Sequence, residues 1–284
     1  MNTRNIRAIV NMTASLPEPA AALPRGPRLM TLAQLSRGTP WRIELQHSHD
    51  ADLLIWTTRG QGRVHLMGRR RGLGVHNAVF VPARSLLALD IGRQGFAQVV
   101  RMPPSSIAGF PREPQLLRIR DVQMQGELTG LLDAMQRELN AGRPLADEAT
   151  AAHAALLSVW FRRAMTALLD PEPRASAAER LVAAFAELVS RNYRDGRPMA
   201  SYAEALDVTP THLTRVCKQC AGLTAADILT ERTLHAARTA LADTDSPVRD
   251  IAMSLGFSSA AYFTRFIQHH TGRAPTALRG ARAA

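Results

Sequence analysis

The apolar positions along the chain change period twice. In residues 40–104 they fall in short runs, at 52–58, 63–67, 78–81, 86–91 and 96–102, separated by Gly, Pro and polar residues. Many short strands at this spacing predict an antiparallel barrel or sandwich. The first two runs flank Gly60-Gln61-Gly62, which predicts a hairpin between them. From Gly126 onward the period is helical. Leu128, Leu131, Leu132, Met135 and Leu139 recur at steps of three and four, as do Leu156, Leu157, Trp160, Phe161, Met165 and Leu168. The stretch from Asp170 to Ser176 holds two prolines and predicts a linker. Beyond it every periodic stretch is helical. The expected organisation is a flexible arm over residues 1–39, a β-barrel over 40–125, a helical segment over 126–170, a linker over 171–178 and an all-α domain over 179–284.

The last hundred residues contain a repeat. Leu213-Thr214-Arg215-Val216-Cys217-Lys218-Gln219-Cys220-Ala221-Gly222 resembles Phe263-Thr264-Arg265-Phe266-Ile267-Gln268-His269-His270-Thr271-Gly272 at an offset of 50, and Ala203, Leu206 and Val208 match Ala252, Leu255 and Phe257 at an offset of 49. Each copy reads as a helix, a tight turn and a second helix. Small Ala203 and Ala252 allow a close helix crossing. Gly256 supplies a left-handed turn residue, and Asp207 stands in the same place in the first copy. Thr209 followed by Pro210 predicts an N-cap and first helical position, and Ser258 or Ser259 caps the second copy.

In the second helix of copy one, Leu213, Val216 and Cys217 form the inward stripe, leaving Thr211, His212, Thr214, Arg215 and Lys218 outward. In copy two, Tyr262, Phe263 and Ile267 are expected inward, and Ala260, Ala261, Thr264 and Arg265 outward. Short side chains plus Arg suit the major groove: Thr and Ala permit close approach and methyl contact with thymine, and Arg can bond guanine O6 and N7 in a fork. These nine residues are the expected base-facing set. The stretch 224–243 between the copies reads as one long helix, a stiff connector that would set the two reading helices about 34 Å apart on one DNA face.

These motifs resemble the AraC (arabinose-operon regulator) family over residues 179–279, most specifically at Ile251-Ala252, Gly256-Phe257, Tyr262-Phe263, Arg265, Gly272, Pro275 and Leu278-Arg279, with Arg232, Ala236 and Leu241 in the connector. Where that family has Phe-Lys, this chain has Cys217-Lys218 and Ile267-Gln268. The resemblance implies a sequence-specific transcription regulator that binds double-stranded promoter DNA and works with RNA polymerase. It also implies a cupin-like sensor barrel in front, a small-molecule effector within it, and helices that form a homodimer. His47-Ser48-His49 and Val81-Pro82-Ala83 are similar to the two barrel motifs. The expected effector-lining set is Trp41, His47, His49, Trp56 and His65.

Composition adjusts this picture. The net charge is +11, but residues 1–178 hold 22 Arg against 14 acids and residues 179–284 hold 13 bases against 10 acids, so charge alone would point to the wrong half for DNA. Arg69-Arg70-Arg71 reads as a solvated loop between strands. The two cysteines, Cys217 and Cys220, exclude a disulfide framework and read as core thiols. A metal-dependent cupin enzyme with a helical accessory domain is the alternative. However, Leu53 and Leu54 stand where that site needs Glu, and Leu86 or Leu87 where it needs His, so neither metal, cofactor nor catalytic residues are expected. No run of 18 apolar residues spans a membrane, and Ala20-Ala21-Ala22-Leu23 is too short for a signal-peptide core, so a cytoplasmic protein is expected.

Overall fold

The computed structural model describes residues 26–167 and 175–280. Among these, the front half contains eight strands: β1 (Arg28–Thr31), β2 (Asp52–Arg59), β3 (Gly62–Leu66), β4 (Arg69–Leu73), β5 (Asn77–Val81), β6 (Leu87–Asp90), β7 (Phe96–Met102) and β8 (Gln115–Arg118). Two short helices, α1 (Leu32–Leu35) and α2 (Trp41–Glu44), lie between β1 and β2. The strands form two antiparallel sheets, one of order β1-β7-β2-β5-β8 and one of order β4-β3-β6.

The larger sheet is buried on both faces, which explains why β2 and β5 lack polar alternation. Leu53, Ile55, Val79, Val81 and Val99 point toward the small sheet and meet Val64, Leu66, Leu73, Leu87 and Leu89. Leu54, Trp56, Phe80, Val100 and Met102 point the other way. There they meet α3 (Val122–Ala141) and α4 (Ala146–Ala167) through Leu128, Leu132, Met135, Leu157, Trp160 and Phe161. The result is three layers: small sheet, large sheet, helical hairpin.

Several expectations change here. Gly60-Gln61-Gly62 does not close a hairpin, because β2 pairs β5 and β7 while β3 pairs β4 and β6. It carries the chain from one sheet to the other, so close to the 91–95 loop that a Cβ on Gly60 would meet Gly95 Cα and Ile91 O at 2.6 Å. Arg69-Arg70-Arg71 is not a loop but edge strand β4, entered through a tight turn at Met67 (φ 48°) and Gly68 (φ 72°). Residues 28–39 are not an arm: β1 pairs with β7 and Leu32 enters the core. Residues 1–25 lie outside the described residues, as do 168–174, which hold Leu168 and the first half of the expected linker. Helix α5 begins at Ala177, inside the expected 171–178 linker, because Ser176 and Glu179 form a capping box. The apolar stripes expected to drive dimerisation are largely spent on the chain's own sheet, with Leu156 and Met165 left exposed.

The described part of the second half is all helix: α5 (Ala177–Asn192), α6 (Met199–Ala205), α7 (Pro210–Ala221), α8 (Ala225–Asp243), α9 (Val248–Ser254), α10 (Ala260–Thr271) and α11 (Pro275–Gly280). It has two small cores. Phe185, Val189, Tyr202, Leu213, Val216 and Ile228 form one, and Leu241, Ile251, Leu255, Phe263 and Ile267 the other, with α8 contributing to both.

Candidate nucleic-acid interface

The 49/50-residue repeat appears as repeated backbone geometry. In the pair α6–α7, Leu206 N and Val208 N donate to Ala203 O at 3.1 and 3.0 Å; in α9–α10, Leu255 N and Phe257 N donate to Ala252 O at 3.2 and 3.0 Å. Asp207 (φ 54°) and Gly256 (φ 76°) both take the left-handed conformation between their helices. Ala203 and Ala252 are fully buried at the crossings. Thr209 caps α7 by accepting from His212 N at 3.2 Å, with Pro210 at the first helical position. Ser259, of the two serines offered by the sequence, caps α10 by accepting from Tyr262 N at 3.1 Å. Both second helices end on a left-handed glycine, Gly222 and Gly272.

These caps and turns fix which side of each second helix faces out. On α7, Leu213, Val216 and Cys217 are buried, while Thr211, His212, Arg215 and Lys218 are exposed and Thr214 is half-buried. His212 Nδ1 and Arg215 Nη2 lie 3.2 Å apart, so one short turn gathers a ring and a guanidinium. On α10, Phe263 and Ile267 are buried, Ala261 and Arg265 are exposed, and Ala260 and Thr264 are half-buried. The Thr264 hydroxyl donates to Ala260 O at 2.9 Å.

Tyr262 departs from expectation. It is 53% exposed rather than inward, resting on Phe257 at 5.7 Å between ring centroids. One helical step from Phe263 carries a side chain about 100° away from the centre of the buried stripe, which places Tyr262 beside Ala261 and Arg265 on the outer face. Cys217 is a core thiol: burial, with Cys220 beside it, pushes it up to about 12, far from a reactive thiolate.

The connector α8 runs 19 residues, about 28 Å at 1.5 Å per residue. Its face toward the front half is tied down. Asp243 is held by both nitrogens of the Arg42 fork, at 2.6 and 3.1 Å, and by Arg37 at 2.9 Å. His235 Nε2 donates to Arg42 O at 3.1 Å, and Arg238 lies 4.3 Å above the Trp41 ring. Further along the interface, Ser190 Oγ donates to Arg84 O at 2.7 Å, Arg69 pairs with Glu179 at 2.6 Å, and the Gly68 turn presses on Val182.

The expected effector-lining residues do not share a cavity. Trp56 faces α3 and α4, stacked on His76, and the space between the sheets is filled by aliphatic side chains. His65 points out of the small sheet toward Gln46 and the Ala221 carbonyl at the end of α7. Trp41, His47 and His49 meet α8: His47 stacks on His235 with centroids 4.8 Å apart, and His47 Nε2 lies 3.1 Å from His49 Nε2. Burial pushes His47 down to about 4, and burial with neighbouring cationic groups holds His49 and His235 well below the usual imidazole range. Among the described residues, no group of three or more His, Cys, Asp or Glu is arranged to hold a metal, and no helix is long and apolar enough to cross a membrane. A cleft of about 1150 Å³ instead lies between the two halves, walled by Ser48, Asp50, the β3–β4 turn, residues 112–116, α5 and Arg232.

Two capped helix pairs on one connector, each presenting short polar residues and an arginine, define a class of DNA-binding domain. A helix-turn-helix domain family matches residues 202–281, so the C-terminal unit carries such a domain. The bifunctional transcriptional activator/DNA repair enzyme AdaA of Bacillus subtilis is 28% identical over 93 residues, which is 33% of this chain and 44% of that protein. The probable transcription factor PqrA of Proteus vulgaris is 37% identical over 68 residues, 24% of this chain and 56% of that protein. The chain thus spans about half the length of the curated relatives it matches. Among solved structures, ToxT from Vibrio cholerae is 11% identical, with 84% of this chain and 92% of that chain covered and a TM-score of 0.42.

Proposed function

We propose that the protein is a sequence-specific transcription regulator in which both helix pairs read duplex promoter DNA, α7 and α10 lying in successive major-groove segments. The observation that carries this reading is the matched turn-and-cap geometry, which leaves Thr211, His212, Arg215 and Lys218 exposed with Thr214 half-buried in one unit, and Ala261 and Arg265 exposed with Ala260 and Thr264 half-buried in the other. The front half, read as a sensor of cupin-like build, grips α5 and α8 directly, so a small-molecule effector bound there can bias how the reading helices are held. On this reading the protein acts in the cytoplasm, alongside RNA polymerase, and its role is binding rather than catalysis.

Selection of bound sequences from a random duplex pool tests the reading. The expected result is an enriched site protected over close to two helical turns per protomer. A pool that yields no enriched sequence overturns it.

A further inference from the structure

We infer that the cleft between the two halves is the binding site for a compact, multiply charged anion, a polycarboxylate or a phosphate ester. As an effector site this rests on the regulator reading; as a binding site it does not.

Eight arginines and four carboxylates line the cleft, and the arginines come equally from both sides. Arg71 and Arg112 belong to the front half, Arg191 and Arg194 to α5 and the turn that follows it. Two of the carboxylates are already committed: Glu179 to Arg69 at 2.6 Å and Glu187 to Arg191. The cleft therefore holds a surplus of positive charge on two facing walls. Like charges focused between low-dielectric walls repel one another and concentrate counter-anions. Arginine forks match carboxylate and phosphate oxygens in pairs. One arginine of the set, Arg232, is 2% exposed at the cleft floor, its guanidinium 3.7 Å above the Tyr193 ring. At about 1150 Å³ the cleft lies just above the roughly 300–1000 Å³ of most small-molecule sites, so a metabolite-sized ligand fits with water beside it.

The position distinguishes this site from the DNA face. None of Thr211, Arg215, Lys218 or Arg265 lines the cleft. The walls do include α5, the β3–β4 turn and Arg232 of α8, the elements through which the sensor holds the DNA-binding half. A polyanion spanning the walls would add to the contacts that already join them, Arg69 with Glu179 and Ser190 with Arg84 O, and so tighten the front half's hold on the helices behind α7 and α10.

The test is calorimetric titration of the full chain at low ionic strength with citrate and, separately, fructose 1,6-bisphosphate, with acetate and glucose as controls. Saturable one-to-one binding of either polyanion is expected, and the stronger of the two identifies carboxylate or phosphate chemistry. The double variant R71Q/R194Q should weaken it about tenfold, equivalent to about 1.4 kcal/mol. R112Q, at an exposed position, should weaken it in the same direction and guards against a folding defect in the double variant. R265A should leave it unchanged. No saturable binding of either polyanion, or binding insensitive to both cleft variants, overturns the inference, as does binding lost in R265A. Operator affinity is measured in parallel. A shift of threefold or more on saturation with the polyanion supports the effector role, and an unchanged affinity overturns that role. Loss of operator binding in the cleft variants without any polyanion would make the cleft part of the DNA path. Failure of the wild-type chain to select any DNA would sink the regulator reading while leaving the titration result intact.

Discussion

At the scale of single residues, the two left-handed turn positions differ in how tightly they are held. A Cβ on Gly256 would lie 2.4 Å from Gly196 N and 2.5 Å from Arg194 O, so the turn of the second unit is packed against the backbone that follows α5. Gly256→Ala combines an unfavourable φ with a backbone clash, and should cost about 2–4 kcal/mol in denaturant unfolding; a cost below about 1 kcal/mol would show that the loop yields. Among the outward residues, Arg265→Ala should relax preference at one base pair by about 1–3 kcal/mol, read from affinities for single-substituted sites. Preference unchanged at every position would remove Arg265 from the reading set. Tyr262 was not legible as an outward residue because an aromatic next to Phe263 joins the apolar run in sequence, while helical rotation separates the two in space. The inward placement of Leu213, Val216, Cys217, Phe263 and Ile267 was legible, because spacing of three and four is the same quantity in sequence and on the helix.

At the scale of elements, caps account for where α7 and α10 begin. Thr209→Ala and Ser259→Ala each remove the acceptor for one first-turn N–H and should each cost about 1 kcal/mol, measured as a shift in thermal midpoint. The losses should add, since the two caps serve different cores. Helices and caps were readable because their signals are local. Strand pairing was not. The Gly60–Gly62 segment carries every local mark of a hairpin, yet which strands pair is decided by burial: β2 is apolar on both faces and must lie mid-sheet, whereas β3 pairs within the smaller sheet. Edge strand β4 was hidden by its own Arg69-Arg70-Arg71. Charged side chains along an edge strand discourage pairing with another chain, and the same charges read as loop in sequence.

At the scale of the whole molecule, the front half and the helix-turn-helix half meet through polar contacts that sequence periodicity does not reveal, because their partners lie up to about two hundred residues apart. Asp243 answers two arginines of the front half while 11% exposed. Asp243→Asn should cost about 3 kcal/mol of docking, since it leaves those guanidiniums facing an uncharged amide. Faster hydrogen exchange in α2 and the last turn of α8, with the small-sheet core unaffected, is the expected signature; unchanged exchange would show that the docking does not depend on this contact. The histidines give the interface a pH dependence. An unfolded imidazole takes its proton near 6.5, whereas folded His47 resists it down to about 4. Arg232 and Arg101 face the same cluster and add to the penalty on His49. Stability from this cluster is therefore full above about pH 6.5 and declines as pH falls from there toward 4. The wild type should lose more thermal stability between about pH 7.5 and 5 than His47→Gln does; equal losses would remove His47 as the source.

On the proposed reading, the connector α8 also acts as a phase gear. Each residue added to it would advance the second unit by about 1.5 Å but rotate it by about 100°, so a single insertion would aim α10 off the face that α7 reads while hardly altering its reach. A chain built this way could vary the chemistry along α7 and α10, but could change the length of α8 only in steps close to whole helical turns. The spacing of the two halves of a target site is thereby written into the pitch of one helix.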